Sequence, residues 1–450
     1  MAKIAFFKRY NSLMLCVVAA IVSVSGNALS AENNAVVFEA QIELESIYSK
    51  VSTDVYRRQQ EFQAEVAAGY AINNTVSLFG QVEWNRQKET VSGEVETSIG
   101  MERKQHWMQY QWHPKDASTH ALRIGRNKFK EKREWWWKSE LDAITYDVTY
   151  PGARFRLGFG KELAPETTFD TKIYPEEQDI YRLFGEHKLH LSNDSSLEVF
   201  GLLHKDNSTQ YRPGDRMHSS TEDDSDADLL WLGFRYSTAQ LFNANNFSLR
   251  MDVAFVKGDE VRYQFSDESA YLTVSEKAKY NVEAWAYDVE LQWRVTTGSP
   301  VSLMLGLAQG SGTKNSHLTR TDSNFRQTGL HENDENYPYY GELLDPDLSN
   351  LIIATIGFKW ALPGESQFYL IYHHYNQHYL SNELSSDAIK QDPNGISKEI
   401  GQSLEVIFLL EPMTQITMEM VVAAFRLGDA YNNKHEAIAT YAAVTFGYEF

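Results

Sequence analysis

The clearest signal along the chain is strict alternation of apolar and polar positions. Trp285, Tyr287, Val289, Leu291, Trp293 and Val295 alternate with Ala284, Ala286, Asp288, Glu290, Gln292 and Arg294. Leu249, Met251, Val253 and Phe255 alternate with Arg250, Asp252 and Ala254, and Tyr181, Leu183 and Leu189 with Arg182, Phe184, Glu186, Lys188 and His190. Counting back from Phe450, Tyr448, Phe446, Val444, Ala442 and Ile438 share one face, while Glu449, Gly447, Thr445, Ala443 and Tyr441 share the other. Successive side chains on a strand point to opposite faces, so one face of each segment suits lipid and the other water. The pattern predicts strands over 36–48, 59–72, 75–85, 105–113, 120–127, 141–150, 152–161, 179–191, 195–205, 229–237, 246–256, 281–295, 300–309, 351–361, 366–376, 402–410, 414–425 and 437–450, about 18 in all.

The links between these strands alternate in length. Asn73-Asn74, Pro151-Gly152, Ser192 to Asp194, Thr296 to Ser299 and Leu362 to Glu365 are short. Polar stretches at 86–104, 162–178, 206–228, 257–280, 310–350 and 377–401 are long. Short periplasmic turns and long extracellular loops in that rhythm mark a transmembrane antiparallel up-and-down β-barrel of the bacterial outer membrane. At about 16 to 18 strands such a barrel encloses an aqueous channel.

The N-terminus agrees. Lys3, Lys8 and Arg9 precede an apolar run from Leu13 to Val24, and small residues lead to Ala31, the form of a cleaved signal peptide. We place its end at residue 31, with cleavage after Ala28 as the alternative, and the barrel at 32–450. The run is shorter than the roughly 20 apolar residues of a membrane-spanning helix. The single cysteine, Cys16, falls inside the leader, so disulfides and thiolate metal sites are not expected in the mature chain. A mean hydropathy of −0.45 beside 25 Tyr, 23 Phe and 10 Trp fits a polar lumen with aromatic girdles at both interfaces. The formal charge of −19 becomes more negative once the basic leader is removed, which argues against a nucleic-acid partner.

The water-facing positions carry both signs of charge. Arg123, Arg154, Arg156, Arg182, Lys188, Arg235, Arg250, Arg294 and Lys359 are read as inward, as are Glu39, Glu43, Glu65, Glu83, Asp142, Glu186, Asp252, Asp288, Glu290, Glu405 and Glu419. Such charges either pair into ladders that hold the wall or stay free and form an anion-conducting ring.

Several segments, in order from about residue 105, carry a family likeness. They are "LRIGRNKFKEKREWWWKSELDAI" from Leu122, "DLLWLGFRYS" from Asp228, "AWAYDVELQWRV" from Ala284, "FRQTGLHEN" from Phe325, "LSNLIIAT" from Leu348, "EIGQSLEV" from Glu399 and "RLGDAY" from Arg426. Together they resemble the alginate export porins. The resemblance implies a monomeric 18-stranded barrel whose arginine-lined pore passes an anionic exopolysaccharide outward, with no cofactor and no enzymatic activity. The ring expected on that basis comprises Arg123, Arg126 and Arg154, faced by Arg294 and Lys359, with Arg326 reaching in from its loop and Arg426 from the end of strand 17. The opposing expectation is neutralisation by Asp142, Asp288, Glu290 and Glu405.

Two features depart from the family pattern. Glu411-Pro412-Met413 reads as a tight turn where the family has a long periplasmic turn able to cover the pore. The first three strands also add Glu39, Glu43, Glu61, Glu65 and Glu83 with few bases, so the cargo is better stated as an anionic exopolysaccharide than as alginate alone. A diffusion or uptake porin for acidic oligosaccharides would use nearly the same pore chemistry. An outer-membrane hydrolase is the third reading, although no Gly-x-Ser-x-Gly elbow is present.

Other clusters point to ordinary roles. His374 and His378, beside His373, have a helical rather than a strand spacing for metal ligation. Glu222, Asp223, Asp224, Asp226 and Asp228 lack the glycine and terminal glutamate of an EF-hand loop, and read as a solvated loop near lipopolysaccharide. The terminal Phe450 and Tyr448 have the form read by the barrel-assembly machinery, and a periplasmic export scaffold is a further expected partner.

Overall fold

A computed structural model describes residues 36–450 except 51–55, 115–116, 131–135, 137, 166, 168–172, 174, 176–177, 193, 209, 242–245, 269–270, 297–298, 315–319, 328–339, 385, 387–388, 390 and 433–437. The leader read at 1–31 lies outside the described residues. The first strands are β1 (Val36–Lys50), β2 (Tyr56–Ala71), β3 (Val76–Val91), β4 (Glu94–Trp112), β5 (Thr119–Lys130), β6 (Lys138–Tyr150), β7 (Ala153–Gly160), β8 (Ile180–Ser192) and β9 (Ser195–Asp206). They are followed by the short β10 (Arg216–His218), then β11 (Ser225–Thr238), β12 (Phe247–Glu268), β13 (Tyr271–Arg294), β14 (Val301–Gly310) and the two-residue β15 (Thr321–Asp322). The chain ends with β16 (Leu351–Ala361), β17 (Gln367–Gln377), β18 (Glu399–Met413), β19 (Ile416–Leu427) and β20 (Ile438–Glu449).

β10 and β15 add to β13. The other eighteen strands pair with their neighbours antiparallel around a closed ring. Closure comes from β1 against β20, in register from Gln41↔Glu449 to Lys50↔Thr440. The Phe450 N–H donates to the Ala40 carbonyl at 2.9 Å, so the last residue still contributes to the seam. A closed sheet leaves no backbone edge to lipid, which is why the hydrocarbon region admits it.

The outer face is apolar and edged with aromatics. At the short-turn rim Phe247 stacks on Trp293, Phe368 packs on Phe408, and Trp112 stacks on Tyr146. Higher on the same strand as Trp293, Trp285 stacks on Tyr287. Trp285 and Trp293 are eight residues apart, about 27 Å along a strand, and strand tilt reduces that to roughly the height of a lipid-facing band. The chain is therefore an outer-membrane barrel.

Two of the expected long loops are instead strand. Residues 86–104 form the upper part of the β3–β4 hairpin, which turns at Ser92-Gly93, and 257–268 pair with 271–280 as extensions of β12 and β13. Above the bilayer both faces of a strand meet water, so the alternation that marks a strand in the sequence disappears there. Similarly, β18 runs through Glu411-Pro412-Met413 and the tight turn falls at Thr414-Gln415.

Candidate functional site

The lumen wall divides into two arcs. On β5 to β13, bases and acids alternate between neighbouring strands. Arg154 and Arg156 both reach Asp147 at 2.9 Å, and Arg156 lies 3.8 Å from Glu186. Lys188 pairs with Glu198, which also lies 3.7 Å from Arg235. Arg235 donates to Asp252 at 2.6 Å with both groups buried. Arg250 stands across from Glu290, and Arg182 is buried across from His204.

Arg123 differs from these. It stacks 4.1 Å over Trp107, which stacks in turn on Phe79, and donates at 2.7 Å to Gln109. No carboxylate lies within 4.0 Å of it among the described residues; Asp147 attracts it from farther off, and the charges of Arg156 and Arg154 repel it. Gly125, with φ +130°, lets the chain pass tightly over the His106 carbonyl beside this stack. Arg123, Arg154 and Arg156 all lie within a few residues of the short turns, in the periplasmic third of the lumen. Arg294 and Lys359 flank Ser302 near the same rim, and Lys359 lies 5.2 Å over the Tyr369 ring.

The other arc, on β18 to β20 and β1 to β3, is acidic. Glu43, Glu61 and Glu65 are near enough to repel one another, as are Glu419 and Glu43. Lys104 relieves Glu83 and Glu102, and Gln59 and Gln63 donate to Glu61.

Three expected pore residues stand elsewhere. Arg126 is directly across from Asp142, and by strand alternation both share the face of Ile124 and Ile144, which are 44% and 50% exposed on the outside. Residues three apart on a strand cannot both face the lumen, so Arg123 faces inward and Arg126 outward. Arg126 is 1% exposed because the segment after β7 covers it. Glu162 accepts from it at 2.8 Å, the Leu163 N–H donates to Asp142, and Arg103 ties Asp142 to the Ala164 carbonyl. Arg426 likewise shares the outer face of Val422 and Ala424. Arg326 does lie on its loop, but it forks onto Glu260 at 2.8 and 2.7 Å and onto Asp322, above the membrane span. Burial alone would raise Asp322, but the Asn324 N–H and the guanidiniums of Arg326 and Arg262 hold it below the usual carboxylate range.

Sequence periodicity did not reveal that loops fold into the barrel. Trp136, after β5, is buried against Phe200 and over Gly233. From the β14–β16 loop, Tyr340, Leu343, Leu344 and Leu348 join an apolar cluster with Tyr375, Ile400 and Phe425 on the inner wall. The available signal was the small inward residues Ala254, Ala284, Ala286 and Ala308. A water-filled lumen has no need of small apolar side chains, whereas an inserted loop does.

Residues 48–445 of this chain match the sequence family described as alginate export. The chain belongs to the alginate export family. It is 22% identical to the alginate production protein AlgE of Pseudomonas aeruginosa over 372 residues, covering 77% of this chain and 74% of that protein. It is 20% identical to AlgE of Pseudomonas syringae pv. tomato over 352 residues, 69% of this chain and 68% of that protein. In fold it is similar to the crystal structure of Pseudomonas aeruginosa OccD3 (OpdP), with a TM-score of 0.51 at 11% identity, over 92% of this chain and 91% of that one. Of the bases expected to line the lumen, Arg123, Arg154, Arg156, Arg182, Lys188, Arg235, Arg250, Arg294 and Lys359 have the inward strand parity. Of the expected opposing acids, Asp288, Glu290 and Glu405 face inward and Asp142 does not. The histidines do not converge: His373 is buried and meets Thr355 at 2.8 Å, His374 takes the other face, and His378 packs on Tyr379.

Proposed function

We propose that this barrel is a passive channel that exports an anionic exopolysaccharide, alginate or an alginate-like polyuronate, from the periplasm to the cell surface. The observation that carries this reading is the cluster of Arg123, Arg154 and Arg156 near the periplasmic mouth, three guanidiniums against two carboxylates, Asp147 and, 3.8 Å from Arg156, Glu186. A local excess of guanidinium attracts and orients carboxylates of an entering polymer, because arginine presents a planar fork of donors. The short range of screened charge, about 8 Å at physiological salt, lets this cluster set selectivity although the whole chain is acidic. On this reading the leader is cleaved at residue 31 and the barrel-assembly machinery inserts the mature monomer among lipid and lipopolysaccharide. A periplasmic scaffold then delivers the polymer.

The test is a planar bilayer recording under a salt gradient. The expected result is a chloride-preferring channel that periplasmic-side polyuronate blocks. Arg123→Glu with Arg156→Glu should move the reversal potential toward cations and weaken the block. A wild-type channel that prefers cations and ignores polyuronates would overturn the proposal. Equal block by short acidic oligosaccharides and long polymers would instead favour uptake of oligosaccharides.

A further inference from the structure

The segment Tyr340–Leu344 of the β14–β16 loop is bonded to the inner wall from β13 to β18. The Tyr340 hydroxyl donates to Asp288 on β13 at 2.7 Å. The Tyr375 hydroxyl, from β17, donates to the Tyr340 carbonyl at 2.7 Å and meets the Ser403 hydroxyl at 3.0 Å. Ser403 donates to Glu405 on β18 at 3.0 Å, and the Glu342 N–H donates to the same carboxylate. Gly341, with φ +121°, sits where a Cβ would run into the Tyr375 hydroxyl and Glu405. The loop is further anchored by burial of Leu343, Leu344 and Leu348, the last against Gly310.

As a consequence, two carboxylates on the water-facing side of the wall are withdrawn from water: Asp288 is 2% exposed and Glu405 1%. Both have fixed donors where solvent would otherwise stand. The segment's own carboxylate, Glu342, has Glu405, Glu419, Asp345 and Glu45 as charged neighbours, which places it on the acidic arc rather than beside Arg123. The positions taken up by this latch are polar and specific. A plug that only filled space would need the leucines and nothing more.

We propose that the segment Tyr340–Leu344 is a selectivity element: it covers Asp288 and Glu405, so that a polyanion leaving the arginine cluster meets no free carboxylate from these two positions. Free carboxylates there would oppose the polymer at a distance where screening is weakest, since a confined aqueous path focuses the field of its wall. This inference rests on the anion-export reading and names the residues that protect it above the arginine cluster.

The experiment is again single-channel recording on the full-length barrel, with folding checked by heat-modifiable mobility. Tyr340→Phe with Tyr375→Phe removes the latch hydroxyls and should raise conductance while moving the reversal potential toward cations. Adding Asp288→Asn and Glu405→Gln to that variant should return the reversal potential toward wild type and leave conductance high. Ser403→Ala, a milder change, should shift the potential in the same direction by less. A space-filling loop predicts higher conductance with no change in reversal potential and nothing to rescue, and that outcome overturns the proposal. Unchanged conductance and potential in every latch variant overturn it as well. The Arg123→Glu, Arg156→Glu channel separates the two readings. If its potential does not move, anion selectivity by the cluster fails. If it moves while the latch variants show no rescue, only the shield fails.

Discussion

The two arcs of the lumen wall both carry ionisable side chains, yet they are built on opposite principles. From β5 to β13 most bases have an acid on the next strand, and the pairs at Arg235–Asp252 and Arg156–Asp147 tie strands together, while Arg123 meets Gln109 instead. From β18 through β3 the glutamates repel, relieved by Lys104 and by the amides of Gln59 and Gln63. The contrast shows that charge in a pore wall does two jobs. Paired charge fixes the shape of the wall, and under the proposed export reading only the surplus, Arg123 with its neighbours, is left to act on cargo.

The largest expected effect is on the acidic arc, because among the described residues no ion pair crosses the β1–β20 seam. Deleting Phe450 removes the donor to Ala40 and the ring that packs 4.5 Å from Tyr448. The outcome expected is loss of inserted, heat-modifiable barrel from the membrane fraction. Normal levels would show that backbone pairing of β1 with β20 suffices.

Next in size is a paired change on the two arcs. Asp252→Ala removes the 2.6 Å partner of the buried Arg235, leaving Glu198 at 3.7 Å, and should cost up to about 3 kcal/mol, the low end of the penalty for breaking a buried pair. Glu65→Gln on the acidic arc removes repulsion from Glu43 and should change stability by no more than ~1 kcal/mol, in the stabilising direction. Urea midpoints of the refolded barrels decide it. Equal losses would erase the distinction between the arcs.

The smallest effect concerns an acidic cluster outside the pore, which tests whether burial beside like charges has a pH signature. In the loop before β11, Asp223 is buried beside Asp206 and Asp226, and Ser208 donates to the latter two at 2.5 and 2.8 Å. Burial pushes the Asp223 carboxyl up to about 6, the Ser208 hydroxyl opposes the rise, and Asp206 and Asp226 add to it. Because the folded value lies above the unfolded one of 3.8, the packed loop binds its proton more tightly than the open chain does. Its contribution is complete below about 3.8 and is lost as pH rises through about 6. Hydrogen exchange, corrected for intrinsic rate, should show this loop better protected at mildly acidic pH than at neutral pH. Asp223→Asn should remove the difference.

Much of this architecture was legible in the sequence. Alternation located nearly every stave, because lipid on one side and water on the other impose a two-residue period within the bilayer. The same rule placed Arg154, Arg156, Arg235, Asp252 and Glu405 on the inner face. It failed at 86–104 and 257–280, where strands leave the bilayer and both faces meet water. Arg126 was misplaced for a different reason: the resemblance drew attention to an arginine beside a glycine, while the period-two count from Arg123 already put it outside.

The sequence by itself thus determined the barrel, its approximate strand number and the sign of the charges available to its lumen, since these depend on local periodicity and composition. Tertiary structure alone decided which charges are spent on each other, which loops enter the lumen, and that Asp288 and Glu405 lie beneath Tyr340 and Glu342. Those outcomes depend on contacts between residues tens of positions apart, and a period of two carries no information about which distant segment will fill the space beside a strand.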